Sequence, residues 1–239
     1  MRLDKLLAHS GLGTRKEVKK LLKKKIVEVN NEIVTDPKIH VDLDVDHVTV
    51  SGETLDYQEF IYLMMNKPQG VISATEDNMH ETVLDLLEMQ DSLQEPHPVG
   101  RLDIDTEGLL ILTNDGKLTH RLLSPKHHVD KLYYAEIDGI VTEEDQTVFE
   151  QGVILEDDYQ TLPAKLDIVS VNEDTNTSVI KLVIQEGKFH QVKRMMHSVG
   201  KEVTYLKRLE MGPLKLDDQL ELGAYRELTS EELDLLRNA

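Results

Sequence analysis

The sequence predicts an α+β protein in which a small amino-terminal domain precedes a larger body built on a mixed, mostly antiparallel sheet. Three observations support this fold class. Short apolar runs of strand length recur along the body, and they do not alternate regularly with helices as a doubly wound parallel sheet requires. The 239 residues are 39% apolar, which is enough for a hydrophobic core. Basic residues are concentrated at the amino terminus, which sets that segment apart from the rest.

The amino-terminal domain, residues 1–52, is predicted to contain two helices followed by a small sheet. Leucines at helical spacing indicate a first helix near residues 3–7. Thr14 and Glu17 form a capping box that is typical of the start of a second helix. The predicted strands are 26–29 and 33–34, joined by an Asn-Asn turn, and 47–50. The polar, acidic segment 53–59 is predicted to be a linker.

The body, residues 60–239, is predicted to mix strands with a few helices. Its strand candidates are 61–65, 109–112, 133–137, 166–171, 179–184 and 203–206. Its helix candidates are 83–88, 118–123, 143–151 and 191–199. Thr229 and Glu232 form a second capping box, which predicts a last helix near the carboxyl end.

The charge distribution also divides the chain into two parts. The net charge is −18, yet residues 1–27 carry nine Lys or Arg and two acidic residues, a charge of +7. The remaining 212 residues therefore carry −25. This division favours a basic attachment module on an acidic body, although a merely solvated lysine helix is the alternative. The cations of the predicted second helix are Arg15, Lys16, Lys19, Lys20, Lys23 and Lys24.

Composition and motifs exclude several classes of protein. There is no cysteine, which excludes disulfides and thiolate zinc sites. No apolar run approaches roughly 18 residues, and the first residues do not resemble a signal peptide, so we expect a cytoplasmic protein without a membrane segment. A Walker loop and a dinucleotide fingerprint are absent, which argues against a nucleotide cofactor. The adjacent His127 and His128 point apart on an extended chain, so we expect no metal.

Residues 99–116 have the layout of a reactive site. They read Val-Gly-Arg-Leu-Asp-Ile-Asp-Thr-Glu-Gly, followed by Leu-Leu-Ile-Leu-Thr-Asn-Asp-Gly. Asp103 lies two residues after Arg101, and an apolar strand follows the acidic turn. A carboxylate beside a guanidinium is expected to be ionised at neutral pH and available as a nucleophile or a base. A structural Arg–Asp pair is the alternative.

This motif resembles the catalytic motif of the ribosomal pseudouridine synthases, in the branch that acts on small-subunit (16S) ribosomal RNA. Further blocks follow the family's order: Lys67-Pro68-Gln69-Gly70, Ser124-Pro125-Lys126-His127-His128, Lys131-Leu132-Tyr133, and residues 186–195. The amino-terminal domain resembles the S4 RNA-binding domain. The resemblance implies a cofactor-free isomerisation of one uridine in 16S rRNA, expected to be uridine 516, by a monomer that acts on a small-subunit assembly intermediate.

The resemblance also implies three catalytic residues. Asp103 corresponds to the catalytic aspartate, although attack on the sugar, attack on the base and proton abstraction all remain open. Tyr133 corresponds to the tyrosine that stacks on the target base, with a core tyrosine as the alternative. Strand alternation would send the neighbouring Tyr134 to the other face. Lys193 corresponds to the cation that pairs with the aspartate, but many relatives have arginine there, which leaves Arg194 as the alternative.

The remaining predicted site residues would contact RNA. Arg101 would meet a phosphate or fill the gap left by an extruded base, unless it pairs with Asp105 or Glu107. Leu206 and Arg208 resemble a closing motif that walls the pocket. The other predicted RNA contacts are Lys67, His128, His190, Gln191 and Arg194, with a hydrogen-bonded bystander as the alternative for His190.

Three other functions remain possible from the sequence. The same chemistry could act on large-subunit (23S) rRNA. A non-catalytic RNA-binding or ribosome-assembly protein would need only the S4-like domain. A retaining glycosidase would need two carboxylates roughly 5 Å apart and would have no use for the basic helix.

Overall fold

The computed structural model describes residues 1–55 and 57–239, so Asp56 of the predicted linker lies outside the described residues. The chain divides into two compact units. The first consists of Met1–Ile61 and Leu87–His97, and the second of Tyr62–Leu86 and Pro98–Ala239. Across the described ranges, no helix combines the length and apolar character needed to cross a membrane.

The first unit contains the two predicted helices, a short third helix and a small sheet. Its helices are α1 (Leu3–His9), α2 (Arg15–Lys23) and the short α3 (Met89–Ser92). Its strands, β1 (Val27–Val29), β2 (Glu32–Ile33), β3 (Val48–Val50) and β4 (Glu53–Thr54), lie in the order β2-β1-β3-β4. Thr14 and Glu17 form the predicted capping box. Leu3, Leu6, Val18 and Leu22 are buried in one core, which fixes the two helices on the sheet.

Two predictions near the domain boundary are wrong. Strand β4 pairs antiparallel with β3, so the small sheet extends into the predicted linker. Residues 83–88 form turns rather than a helix. The Asp85 carboxylate accepts hydrogen bonds from the backbone N and the Oγ1 of Thr82, at 2.7 and 2.9 Å. Short polar side chains that bond to nearby backbone in this way compete with helix formation.

The second unit contains the large sheet. Its strands are β5 (Tyr62–Lys67), β7 (Glu107–Thr113), β8 (Lys131–Asp138), β9 (Lys165–Asn172), β10 (Thr177–Ile184), β11 (Glu202–Met211), β12 (Leu214–Lys215) and β13 (Tyr225–Glu227); β6 is His97–Pro98. The strand order is β13-β5-β7-β11-β8-β10-β9, and β12 pairs with β11. Only β7 and β11 run parallel among these pairs, which confirms the predicted mixed, mostly antiparallel sheet.

Four α-helices complete this unit: α4 (Gly116–Leu123), α5 (Glu143–Gln151), α6 (Gln191–Ser198) and α7 (Ser230–Arg237). The capping box predicted at Thr229 and Glu232 is present at the start of α7. Apolar residues of α4 and α7 share one buried cluster with Leu109 and Ile111 of β7. Strand β7 is therefore held firmly, and the loop that precedes it carries the Asp103 motif.

Candidate active site

The loop that carries Asp103 is held by a buried lysine. Lys67, at the end of β5, is fully buried, and its Nζ donates to the carbonyl oxygens of Pro68, Asp103 and Thr106, each at 3.0 Å. Three acceptors match the three N–H groups of an ammonium. Burial lowers the pKa of Lys67 to about 8, against the opposing effect of nearby carboxylates such as Asp103. The predicted RNA contact at Lys67 is therefore wrong, because this side chain faces the protein.

Gly108, the second residue of β7, lets this strand lie close to β11. Its φ is +103°, and a Cβ at this position would lie 2.2 Å from the carbonyl oxygen of Arg208. Any side chain would therefore collide with the backbone of β11 where it pairs with β7. A glycine is therefore required at this position.

Lys193 is the cation that the structure brings to Asp103. Its Nζ lies 3.2 Å from Asp103 Oδ2 and 2.6 Å from Asp105 Oδ1. Burial acts to lower the pKa of Lys193, but the bond to Asp105 and the charge of Asp103 outweigh it and raise the pKa. Arg194 instead pairs with Glu156 at 2.5 Å and with Asp157 at 2.7 Å. Of the two alternatives left open by the sequence, Lys193 is thus the neighbour of Asp103.

Asp105 has a larger part in the site than the sequence indicated. Burial acts to raise the pKa of Asp105, but the hydrogen bond and charge of Lys193 more than compensate, and the pKa is lowered. Lys193 is therefore held between two carboxylates. This arrangement fixes its ammonium beside Asp103, whose side chain is 26% exposed and thus reachable from solvent.

Tyr133 and Tyr134 lie on opposite faces of β8, as strand alternation predicts. Tyr133 is 7% exposed and lines a cleft of about 60 Å³ together with Asp103, Lys193 and Leu206. The hydroxyl of Tyr134 donates to Glu136 at 3.3 Å, on the other face. Tyr133 is thus the tyrosine on the Asp103 side of the sheet.

A larger cavity of about 920 Å³ opens over Asp103. Arg101, His128 and His190 line it, and His190 Nε2 lies 3.6 Å from Asp103 Oδ1. The predicted alternative partners of Arg101 are engaged elsewhere, because Asp105 binds Lys193 and Glu107 accepts a hydrogen bond from Tyr205 at 2.6 Å. Within the described ranges, no ion pair joins Arg101 to either carboxylate. Its exposed guanidinium is therefore available to a ligand in the cavity.

Two other predicted RNA contacts are buried, so these predictions are wrong. Arg208 is 2% exposed, and its Nε donates to the carbonyl of Leu109 at 2.8 Å. Gln191 is 4% exposed and bonds to the Glu186 carboxylate at 2.7 Å and to the Lys188 backbone N–H at 2.8 Å. Both polar side chains hold the walls of the site and do not face a ligand. Leu206 does line the cleft, as expected.

The predicted basic surface of α2 is exposed. Val18 and Leu22 are buried, whereas the six predicted cations face outward. Arg15 pairs with an acidic neighbour, since its Nη2 lies 3.1 Å from Glu95 Oε1. The helix therefore presents a positively charged face, which is the electrostatic requirement for binding phosphates.

Sequence reasoning missed an aromatic wall of the larger cavity. The Tyr159 hydroxyl donates to Glu186 at 2.7 Å, and Lys188 Nζ lies 4.7 Å from the centre of the Tyr159 ring. The Phe189 ring is stacked on the His190 ring. Phe189 lies inside a recognised sequence block and could have been noticed there, whereas Tyr159 approaches from a distant loop that carries no such signal.

The comparisons with known proteins show the family of this chain. Residues 61–198 match the family model described as RNA pseudouridylate synthase, and residues 1–47 match the S4 domain. The chain belongs to the RNA pseudouridylate synthase family. It is therefore an RNA pseudouridine synthase, an isomerase, with an S4 RNA-binding domain at its amino end, as the resemblance implied.

The names of full-length relatives refer to the large ribosomal subunit in some cases and to the small subunit in others. An RNA pseudouridine synthase of Bacillus subtilis, YtzG, is 56% identical, covering 99% of this chain and 98% of its own length. The ribosomal large subunit pseudouridine synthase B of the same organism is 40% identical (99% and 95%). The ribosomal small subunit pseudouridine synthase A of Haemophilus influenzae is 37% identical (99% and 99%). A crystal structure of a pseudouridylate synthase, 35% identical, matches with a TM-score of 0.68 over 99% of both chains.

Proposed function

We propose that this protein converts one uridine of bacterial 16S rRNA, uridine 516, to pseudouridine, with Asp103 as the reacting carboxylate. The observation that carries the proposal is the fixation of Asp103 from two sides. Lys67 holds its backbone carbonyl, and Lys193 lies beside its carboxylate at the floor of an open cavity. A carboxylate that is charged, positioned and accessible has the properties of a nucleophile or a base.

The reaction requires groups of this kind and no cofactor. The bond between ribose C1′ and uracil N1 breaks, the base turns, and C1′ joins C5, whose proton leaves while N1 gains one. Asp103 is proposed to act at C1′, at the uracil ring or as the base for the C5 proton, with Lys193 stabilising its charge. Tyr133 is proposed to stack on the uracil and to share in proton transfer. Because a buried base must first leave its stack, Arg101 would occupy the gap or bind a phosphate.

The 16S target is supported by sequence blocks. The segments Ser124–His128 and His190–Arg194 resemble the small-subunit branch of the family. The 40% identity to a large-subunit synthase favours the alternative, the same chemistry on 23S rRNA. A non-catalytic RNA-binding role is disfavoured, because it would not need a carboxylate and an ammonium held 3.2 Å apart in a cavity.

Several further expectations belong to this proposal. An S4-type domain at residues 1–52 binds rRNA through Arg15, Lys16, Lys19, Lys20, Lys23 and Lys24. A catalytic domain at residues 60–239 adds His128, His190 and Arg194 to the RNA surface. The protein acts in the cytoplasm as a monomer, on a small-subunit assembly intermediate.

Mapping pseudouridine in rRNA from cells with and without the gene tests the target. We expect loss of the signal at uridine 516 of 16S rRNA, restored by the wild-type gene and not by the Asp103→Asn variant. Loss of a 23S signal instead would support the alternative target. Unchanged pseudouridine in both rRNAs would contradict the proposed function.

A further inference from the structure

The mouth of the larger cavity carries an exposed aromatic side chain that the proposed reaction does not use. Phe189 is 69% exposed, although it lines the cavity that contains Asp103. Its ring lies against His190, with centroids 3.7 Å apart and planes inclined by 19°. One face of Phe189 is thus covered by an imidazole, while most of the side chain remains accessible. Phe189 is therefore accessible to a ligand that enters the cavity containing Asp103.

The backbone holds this stacked pair in place. Neighbouring side chains of an extended chain point to opposite sides, but His190 has a φ of +48°, in the left-handed region. Such a conformation is costly for a residue other than glycine and occurs often at functional sites. Here it brings the rings of Phe189 and His190 onto the same side. His190 lies in turn 3.6 Å from Asp103, so the pair adjoins the reacting carboxylate.

The surrounding contacts make the segment rigid. The Lys188 backbone N–H donates to Gln191 Oε1 at 2.8 Å, and Gln191 Nε2 donates to Glu186 at 2.7 Å. Arg194 Nη1 reaches the carbonyl oxygen of Phe189 at 3.5 Å. The ring is therefore presented by an anchored segment, which reduces the entropy that a ligand must overcome on binding.

The charges around the ring are complementary to RNA. Arg101 and Lys188 line the same cavity, although the second unit as a whole belongs to the acidic part of the chain. The Glu186 carboxylate is engaged by Tyr159, Gln191 and the Leu162 backbone N–H. A flat apolar ring next to cations is the combination by which proteins bind unpaired nucleotides, through base stacking and phosphate contacts.

We propose that Phe189 is a stacking platform for a nucleobase next to the target uridine, and that His190 supports it from behind. The platform would keep the flanking base in a defined place while the uracil itself enters the cleft between Asp103 and Tyr133. This inference rests on the family's RNA chemistry and deepens the proposed function. Phe189 is a positioning residue, since it would contact the neighbouring base and not the reacting atoms.

Replacing Phe189 with leucine tests the platform, because leucine keeps an apolar side chain but removes the aromatic face. On an rRNA fragment that contains the target, we expect the RNA concentration for half-maximal rate to rise about tenfold, while the maximal rate changes much less. Phe189→Tyr and Phe189→Trp keep an aromatic face, so their RNA concentration for half-maximal rate should stay close to that of wild type. Ile154→Ala is the matched control, since Ile154 is 63% exposed and does not line the cavity. If the leucine variant reached half-maximal rate at the same RNA concentration as wild type, the proposal would be overturned.

A fluorescence measurement separates this proposal from the target assignment. The same fragment carries 2-aminopurine at the nucleotide before or after the target, and stacking on an aromatic ring quenches it. Wild-type protein should quench one of the two probes on binding, and Phe189→Leu should quench neither. Equal quenching by both proteins would overturn the platform. If wild-type protein quenches a probe but forms no pseudouridine, the platform stands and the proposed 16S target fails.

Discussion

Replacing Lys67 with methionine tests whether the catalytic loop depends on one buried ammonium. Methionine is of similar length, so it fills much of the same space while removing the charge. The substitution deletes the bonds to the carbonyls of Pro68, Asp103 and Thr106. Because Asp103 is joined to Lys67 through its own backbone, the change reaches the reacting residue directly.

The size of the effect follows from two opposing contributions. The drop in the pKa of Lys67 from 10.5 to about 8 corresponds to roughly 3 kcal/mol against the charged form. Against this, each of the three carbonyls would lose its donor, and a buried acceptor left unpaired costs about 1–3 kcal/mol. We expect Lys67→Met to lower the free energy of unfolding by about 3 kcal/mol, because three carbonyls lose their donor. A loop displacement near 1 Å would lower the rate about 100-fold.

Denaturant unfolding and single-turnover pseudouridine formation measure these two effects. Lys181→Met is the matched control, because Lys181 is exposed on β10, and its stability should stay within about 0.5 kcal/mol of wild type. If Lys67→Met matched the control in both measurements, the ammonium would not support the loop and this reasoning would be refuted.

The same lysine predicts a distinct response to alkaline pH. The folded protein binds fewer protons than the unfolded chain between pH 8 and 10.5, because the pKa of Lys67 is lowered to about 8. Its contribution to stability therefore increases as pH rises through this range. The neutral amine, however, offers two N–H groups to three carbonyls. We expect the rate to fall above about pH 8 in wild type, and Lys67→Met should lack this step.

Three further predictions concern charge and stacking. Lys193→Met should lower the single-turnover rate strongly, whereas Arg194→Met should mainly weaken RNA binding. The reverse result would contradict the assignment of Lys193, and not Arg194, as the partner of Asp103. Tyr133→Phe should bind RNA but form product slowly, and Tyr134→Phe should change the rate only slightly. Equal losses of rate in the same assay would contradict the claim that only Tyr133 lies on the Asp103 side of β8. Replacing the α2 lysines at 16, 19, 20 and 23 with glutamine should flatten the salt dependence of rRNA filter binding, by about 0.7–0.9 in slope per lost phosphate contact. An unchanged slope would mean that α2 does not bind phosphates.

Local signals in the sequence predicted most of the fold. The capping boxes at Thr14 and Thr229 mark true helix starts, because their hydrogen bonds involve residues only three positions apart. The alternation of side chains along β8 correctly predicted that Tyr133 and Tyr134 lie on opposite faces of the sheet. The helix predicted at residues 83–88 failed, since the bond between Thr82 and Asp85 forms a turn that apolar spacing does not reveal.

Long-range contacts account for the rest. The sequence motif indicated that Lys67 and Arg208 matter, but it could not distinguish a cation that faces RNA from one enclosed by carbonyl oxygens. Except for Pro68, those acceptors lie in distant segments, and only the folded sheet brings them to the lysine and the arginine. For the same reason, sequence left Lys193 and Arg194 unresolved, because the carboxylates of Asp103 and Glu156 that select between them are remote from α6.

Asp103→Asn is the most direct test of the claim that this carboxylate carries the reaction. The amide keeps the volume of the side chain, and Lys193 retains its bond to Asp105 at 2.6 Å, so the fold and the affinity for RNA should be nearly unchanged. Pseudouridine formation on an rRNA fragment that wild-type protein modifies is then measured in single turnover, beside unfolding and filter binding. We predict no detectable product. Turnover within about tenfold of wild type would contradict the assignment of Asp103 as the reacting group.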